Sequence, residues 1–242
     1  MLGLSLSLLA VVHGAPAGST HSSAPRFAVI HLTPADDLVA ALTNATAGDE
    51  LVLADGTYKP SATLDINKDI TIRAMNEGRA VIDGQNARRV LLLQGGVVHL
   101  DGLNITGGHV NGFGAGVYFR KGTATLNACS IFANSATYGG GVGVGGGYVK
   151  MFQETTIHNN SVDTSGMGGG LYVFGYSTAF DTVTFTRCDI HSNTAHLGGG
   201  VGFYEEIVTD DTVSIHGNSP DDCDGEAATP AACGRDTGHA SD

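Results

Sequence analysis

A repeated pair of short motifs constrains the fold of this chain more than any other feature. An Ile followed three residues later by Asn recurs in four late segments, with the Ile at Ile131, Ile157, Ile190 and Ile215. Ile105 begins an earlier copy in which Gly108 stands at the Asn position, and successive Ile residues are 26, 26, 33 and 25 residues apart. A period near 25 residues, built from short apolar runs, is typical of a β-solenoid. We therefore predict about six to seven stacked coils of three short strands each.

A glycine-rich landmark recurs in phase with the Ile and Asn motif, at residues 139–142, 168–171 and 198–201, with 115–117 as an earlier copy. Stacked Asn side chains can hydrogen-bond along the solenoid as an asparagine ladder. Glycine permits positive φ angles and close backbone packing at a second corner. We interpret both landmarks as architecture, with ligand contact as the alternative.

Alternation from the repeated Ile predicts which residues point into the coils. We use "column" for the residues that occupy equivalent positions in successive coils. Three predicted inward columns are Leu103, Cys129, Thr155, Cys188 and Val213; Leu100, Leu126, Phe152 and Phe185; and Phe119, Val144, Val173 and Phe203.

The four cysteines fall into two pairs. Cys129 and Cys188 share a column, but the coil that carries Thr155 separates them, so strand spacing puts them about 9–10 Å apart. That distance exceeds disulfide reach, and we predict two buried free thiols. Cys223 and Cys233 lie in a polar C-terminal segment, where we predict a disulfide that closes a short loop.

The N-terminal segment is predicted to be a secretory signal. Residues 2–12 form an apolar run that is too short to cross a bilayer, which takes about 20 residues. We assign 1–14 to a signal peptide and 15–26 to a linker, with a buried N-terminal strand as the alternative. A cap helix follows, with Thr33 as its N-cap, Pro34 at its first position and Gly48 as its stop. We assign the solenoid with its cap to 27–222 and a polar tail to 223–242.

Composition limits the partners of the chain. Twelve Lys and Arg residues against 24 Asp and Glu give a formal net charge of −12. This charge disfavours a nucleic-acid partner, because phosphates favour a basic surface. Outside the predicted signal peptide, no apolar stretch approaches transmembrane length. We expect an extracellular or cell-surface location, and four cysteines agree with an oxidising compartment.

Residues 49–85, DELVLADGTYKPSATLDINKDITIRAMNEGRAVIDGQ, resemble the opening coils of pectin-lyase-like proteins, and the preceding helix resembles their cap. This resemblance covers roughly residues 27–222 and implies a single right-handed parallel β-helix. The late repeats are similar to those of chlamydial-type polymorphic outer-membrane proteins, which repeat FxxN and GGA[ILV]. Here Ile replaces Phe, and Gly replaces Ala. The resemblance leaves activity open, because lyases, esterases, hydrolases and non-enzymes share this opening.

Catalytic signatures of the enzyme relatives are missing from the chain. It has no QDT or DFIFG segment, as in pectin methylesterases, and no NTD, GHG or RIK segment, as in polygalacturonases. In the outward columns of the late coils, only Glu154, stacked on Arg187, pairs a carboxylate with a base. A catalytic dyad is one interpretation of this pair, and a surface ion pair is the favoured one.

Three histidines follow the repeated Ile in successive coils, namely His158, His191 and His216, and Asp189 lies in the neighbouring outward column. Adjacent imidazoles with a carboxylate can bind Zn²⁺ or Cu²⁺, or titrate together in mildly acidic surroundings. A solvent-facing stack produced by repeat duplication is the favoured alternative.

Exposed aromatic residues form another candidate site. Tyr118, Tyr172, Phe174 and Tyr204 are predicted to project outward beside the glycine corner, with Tyr138 in the turn. Such rings can stack on sugars, or they can simply cover the sheet.

Near the C-terminal end, an acidic cluster offers oxygen ligands for Ca²⁺, with a solvated terminus as the favoured alternative. Its members are Glu205, Glu206, Asp210, Asp211, Asp221, Asp222, Asp224 and Glu226.

These observations favour a secreted, non-catalytic β-helix protein that binds a glycan or protein ligand outside the cell and requires no cofactor. The alternative is a polysaccharide-acting enzyme, either a pectate- or alginate-type lyase or a depolymerase.

Overall fold

A computed structural model describes residues 27–146, 149–163, 165–175, 182–204, 207–225 and 232–233, without the side chains of 149 and 182. The predicted signal peptide at 1–14 and linker at 15–26 lie outside these residues, as does most of the predicted tail. The described ranges contain no helix with the length and hydropathy of a membrane span.

The described residues form one helix and 24 strands. From the N-terminus to the middle of the chain these are β1 (Val29–Leu32), α1 (Leu38–Asn44), β2 (Glu50–Leu53), β3 (Gly56–Tyr58), β4 (Leu64–Ile66), β5 (Ile70–Ala74), β6 (Ala80–Arg88), β7 (Leu91–Leu93), β8 (Val97–Asp101), β9 (Leu103–Phe113), β10 (Val117–Phe119), β11 (Thr123–Asn127) and β12 (Ser130–Phe132). The remaining strands are β13 (Ser135–Tyr138), β14 (Val142–Val144), β15 (Val149–Gln153), β16 (Thr156–His158), β17 (Ser161–Val162), β18 (Leu171–Val173), β19 (Thr182–Thr186), β20 (Asp189–His191), β21 (Val201–Phe203), β22 (Ile207–Thr209), β23 (Ser214–His216) and β24 (Cys223–Gly225).

The strands stack in parallel into three sheets that run along the solenoid. The first sheet has the order β1-β2-β5-β8-β11-β15-β19-β22, and the second has β4-β7-β10-β14-β18-β21-β24. The third contains β9, β12, β16, β20 and β23, with β3, β6, β13 and β17 joined to it. The five repeated Ile residues are successive Cα partners in this sheet. The predicted right-handed parallel β-helix is therefore confirmed.

The interior of the coils is a continuous apolar core. All thirteen residues of the three predicted inward columns are buried, including Thr155, which is 1% exposed. Phe152 stacks on Phe185 with 4.6 Å between ring centroids. Each buried Leu, Ile or Phe contributes about 1.5–3 kcal/mol relative to exposure, so stacking equivalent positions stabilises the whole length of the solenoid.

The asparagine ladder is present, and its first three members are buried. The Nδ2 atoms of Asn134, Asn160 and Asn193 each donate to the Oδ1 atom of the next Asn, at 3.0 Å in all three steps. The last member, Asn218, donates instead to Oδ1 of Asp222 at 2.8 Å. The ladder thus ends at the Asp222 carboxylate, which accepts the last hydrogen bond in place of an Asn from a further coil.

The glycine corner is required by this ladder. A Cβ atom on Gly141 would lie 2.8 Å from Nδ2 of Asn160, and one on Gly170 would lie 2.8 Å from Nδ2 of Asn193. Real Cβ atoms do not approach so closely, so the third glycine of each triplet leaves room for the Asn of the same coil. The two sequence landmarks are one structural unit.

The cap helix starts later than the sequence pattern predicts. Asp37, not Thr33, is the N-cap, and its carboxylate accepts from the backbone N–H groups of Val39 and Ala40. Thr33 instead donates its N–H and hydroxyl to Asp36, which closes a turn before the helix. The helix ends at Asn44, four residues before the predicted stop at Gly48.

The C-terminal end of the solenoid extends beyond the predicted boundary at residue 222. β24 pairs in parallel with β21, and a disulfide joins Cys223 to Cys233. Cys233 is 3% exposed and belongs to the apolar core, so the disulfide holds Cys233 against the last coil. Cys129 and Cys188 are buried free cysteines.

Candidate functional site

An aromatic surface covers the middle part of the outer face of the second sheet. One outward column of this sheet alternates between tyrosine and glycine, in the order Tyr118, Gly143, Tyr172 and Gly202. Because the intervening glycines carry no side chain, the tyrosine rings have space along the sheet. A Cβ atom on Gly202 would lie 3.2 Å from Cδ2 of Tyr172.

Two neighbouring columns complete the surface. The residues that follow the strands form one column, and backbone hydrogen bonds between coils align Gly145, Phe174 and Tyr204 in it. A Cβ atom on Gly145 would lie 2.7 Å from the Tyr118 hydroxyl and 2.8 Å from Cζ of Phe174. The other column consists of the residues before the positive-φ glycines, namely Phe113, Tyr138, Met167 and Leu197.

The rings form a floor and a wall. Phe113 is stacked on Tyr138 at 5.4 Å and on Tyr172 at 6.2 Å, and it lies 4.2 Å from the Phe174 ring. Tyr204 stands at 87° to Tyr172, with 6.2 Å between centroids. These five residues and Gly175 line a surface pocket of about 290 Å³. We call this set the aromatic site.

The four predicted aromatic residues lie together, but they are not equally exposed. Tyr204 is 44% exposed and Tyr118 is half-buried. Tyr172 and Phe174 are each only 7% exposed, so the expectation that they are exposed is wrong. They point away from the core but pack beneath the other rings, because aromatic side chains in adjacent columns bury one another.

Phe113 is the ring that sequence reasoning missed, and Tyr138 proves more central than predicted. Both precede the first positive-φ glycine of their copy, at Gly114 and Gly139. The sequence signal for Phe113 is weak because the earliest glycine landmark, at residues 114–116, lacks the full triplet. Aligning the residue before each such glycine would have found it.

Arg89 supports this surface from one side. Its guanidinium lies 4.9 Å from the Tyr118 ring centroid, and Nε and Nη2 donate to the carbonyls of Phe113 and Gly114 at 2.8–3.2 Å. Burial lowers the pKa of Arg89 from its usual value. The arginine therefore holds the turn that carries Phe113.

The predicted histidine column exists on the third sheet. The rings of His158, His191 and His216 stack nearly parallel, at 5.2 and 5.5 Å between centroids, and Phe132 extends the stack at 5.2 Å from His158. Asp189 lies 3.2 Å from Nε2 of His216 and 4.0 Å from Nε2 of His191. Its Oδ1 atom is buried and forms no hydrogen bond, although it is the Asp189 oxygen that lies 3.2 Å from Nε2 of His216.

Two hydrogen bonds and partial burial hold His158 in place. Nε2 lies 3.1 Å from the Ser130 hydroxyl, and Nδ1 lies 2.8 Å from the Asn159 amide. Burial, followed by the neighbouring His191, lowers the pKa of His158. Parallel rings direct their nitrogen lone pairs side by side, so they do not converge on one point.

The histidine column, as described, does not form a ligand set for a metal ion. Among the residues that the structure describes, no three His, Cys, Asp or Glu side chains are placed to hold one metal ion. Zinc binding by the histidine column therefore stays a prediction.

Of the acidic cluster, Glu205, Glu206 and Glu226 lie outside the described residues, and Asp222 ends the asparagine ladder.

Glu154 and Arg187 form an exposed ion pair. Nε and Nη2 of Arg187 donate to Oε1 of Glu154 at 2.9 and 2.6 Å, with the two side chains 57% and 52% exposed for Arg187 and Glu154. Both residues have a φ of 50°, at a corner where Ala128 has 48°. Neither lines the aromatic pocket. The pair joins turns of two stacked coils, and an exposed ion pair of this kind contributes about 0–1 kcal/mol to stability.

No protein-family model and no curated protein matches the chain. Among solved structures, a mutant of the PL6-family alginate lyase AlyGC is similar over 84% of this chain, with a TM-score of 0.45 and 15% identity. This chain covers 41% of that lyase. The pectate lyase Pel9A is similar over 86% of this chain and 80% of its own, with a TM-score of 0.42 and 12% identity. The strand registers above, not these likenesses, carry the fold assignment.

Proposed function

We propose that this protein is a secreted, non-catalytic β-helix protein that binds a glycan at the aromatic site. The observation that carries the proposal is the floor and wall of rings around a pocket of about 290 Å³. Flat apolar rings accept the C–H faces of sugars, and tyrosine adds a hydroxyl at its edge. The apolar leader at 2–12 and the disulfide support export to an oxidising compartment.

The absence of a catalytic pair at this pocket favours binding over turnover. Among the described residues that line it there is no carboxylate, histidine or lysine. Glycan lyases and hydrolases need a positioned acid or base within hydrogen-bond reach of the scissile bond. Tyrosine can serve as such a group, so the test must include product detection.

A polysaccharide array read for both retention and products tests this function. We expect retention of at least one polymer with no unsaturated or reducing-end products. Tyr204→Ala should abolish retention, because it removes the exposed wall of the pocket. Phe132→Ala is the matched control, since it removes a ring from the third sheet. Product formation would establish the enzyme alternative, and retention unaffected by Tyr204→Ala would exclude this site.

A further inference from the structure

The aromatic pocket carries no charged group among its described lining residues, which are Phe113, Tyr138, Tyr172, Phe174, Gly175 and Tyr204. The polar side-chain atoms of these lining residues are the three phenol hydroxyls of Tyr138, Tyr172 and Tyr204. A carboxylate or sulfate placed there would give up water without gaining a cationic partner. Leaving such a charge unpaired is far more costly than leaving a hydroxyl in contact with phenols.

The arginines near the site are directed elsewhere. Arg89 donates to two backbone carbonyls and lies over the Tyr118 ring, so it serves the turn beneath the site. Arg120 shares the column of Phe174, with Gly145 between them, and donates to Gln94. Two coil steps separate Arg120 from Phe174, about 10 Å at the usual strand spacing. Physiological salt screens exposed charges over such a distance.

The charge of the whole chain acts in the same direction. A formal net charge of −12 repels a polyanion as it approaches, and no described basic cluster at the pocket offsets that repulsion. The ring geometry suits an uncharged sugar instead. The apolar face of a pyranose can lie on the floor, while its hydroxyls meet the phenols of Tyr138 and Tyr204.

We infer that the ligand of the aromatic site is a neutral glycan, a polymer of uncharged hexoses or pentoses, and not an acidic polysaccharide. This inference rests on the proposed glycan-binding function and names its ligand class. It separates this chain from proteins that recognise uronates through arginine and lysine, because Arg89, the arginine that contacts the aromatic surface, donates to backbone carbonyls of the turn.

The experiment compares polymers that differ only in charge. Polygalacturonate and alginate are each tested beside their carboxyl-reduced neutral forms, together with neutral glucan, galactan, mannan and xylan, by affinity electrophoresis and calorimetry. We expect retention by neutral polymers only, with a Kd that changes less than about twofold between low and high salt. Tyr204→Ala should weaken binding by about tenfold or more, and Phe132→Ala should leave it unchanged.

The outcomes separate the two proposals. Tighter binding of an acidic polymer than of its reduced form, or affinity that falls steeply with salt, would overturn neutral selectivity while leaving glycan binding intact. Binding of neutral polymers that survives Tyr204→Ala would overturn the assignment to this site. Binding of none of these polymers would overturn glycan binding itself, and the selectivity with it.

Discussion

Replacing Asn160 by alanine tests the physical basis of the solenoid most directly. Asn160 is 1% exposed, and its side chain makes four hydrogen bonds. Its Nδ2 donates to the Ile131 carbonyl at 2.9 Å and to Oδ1 of Asn193 at 3.0 Å. Its Oδ1 accepts from the backbone N–H of Asn134 at 3.1 Å and from Nδ2 of Asn134 at 3.0 Å. Asn160→Ala removes all four.

The expected cost follows from what is left without a partner. A neutral buried hydrogen bond contributes about 1 kcal/mol net, and a buried group left unsatisfied costs about 1–3 kcal/mol. The N–H of Asn134 loses its acceptor, and Asn134 is itself 1% exposed, so water does not readily replace it. We expect Asn160→Ala to lower the free energy of unfolding by about 3–5 kcal/mol.

Urea denaturation followed by far-UV circular dichroism measures this change, since the chain has no Trp for fluorescence. With a slope of about 2–3 kcal/mol/M, the midpoint should fall by roughly 1–2.5 M. Asn159→Gly is the control, because Asn159 is exposed and its φ of 52° suits glycine. Equal midpoints for the two variants at an unchanged slope would refute the argument that the ladder stabilises the coils.

Three further outcomes are expected. Gly141→Ala should lower the melting temperature sharply, because its Cβ would lie 2.8 Å from Nδ2 of Asn160; an unchanged melt would contradict the packing argument. Burial lowers the pKa of His158 from 6.5, so the unfolded chain binds more protons below that pH and stability should fall as pH drops. His158→Phe should reduce this loss in melts compared between about pH 7.5 and about pH 5.5. Thiol counting on unreduced protein should find two free thiols after denaturation and none that react in the native state, because burial raises the pKa of Cys129 to about 12 and also raises that of Cys188.

Much of the fold was predictable because a solenoid converts sequence spacing directly into position. The Ile and Asn repeat predicts the third sheet and the ladder, since equivalent residues of successive coils become Cα partners. The start of the cap helix was less predictable. Both Thr33 and Asp37 are suitable N-caps by residue type. In the structure Thr33 donates to the Asp36 carboxylate in a turn, so the Asp37 carboxylate is the one that accepts from the first backbone N–H groups of the helix.

For the candidate site, the sequence predicts which aromatic residues share a face but not which of them are exposed. Spacing places Tyr118, Tyr172, Phe174 and Tyr204 on one face, yet only packing shows that Tyr172 and Phe174 lie beneath Phe113. A two-residue alternation distinguishes inward from outward, and it contains no information about whether one outward ring covers another.

The sequence by itself determined the period, the parallel stacking and the inward columns, because each of these depends on local spacing that repeats along the chain. The tertiary structure decided how neighbouring columns meet. Lys150 shows the difference: it occupies an inward position between Ala124 and Val183, is 1% exposed, and donates to the Gly122 carbonyl at 3.2 Å. Alternation from Phe152 marks this position as inward. The hydrogen bond from the Lys150 amine to a backbone carbonyl of another coil follows from a distance between coils that exists only in the folded chain.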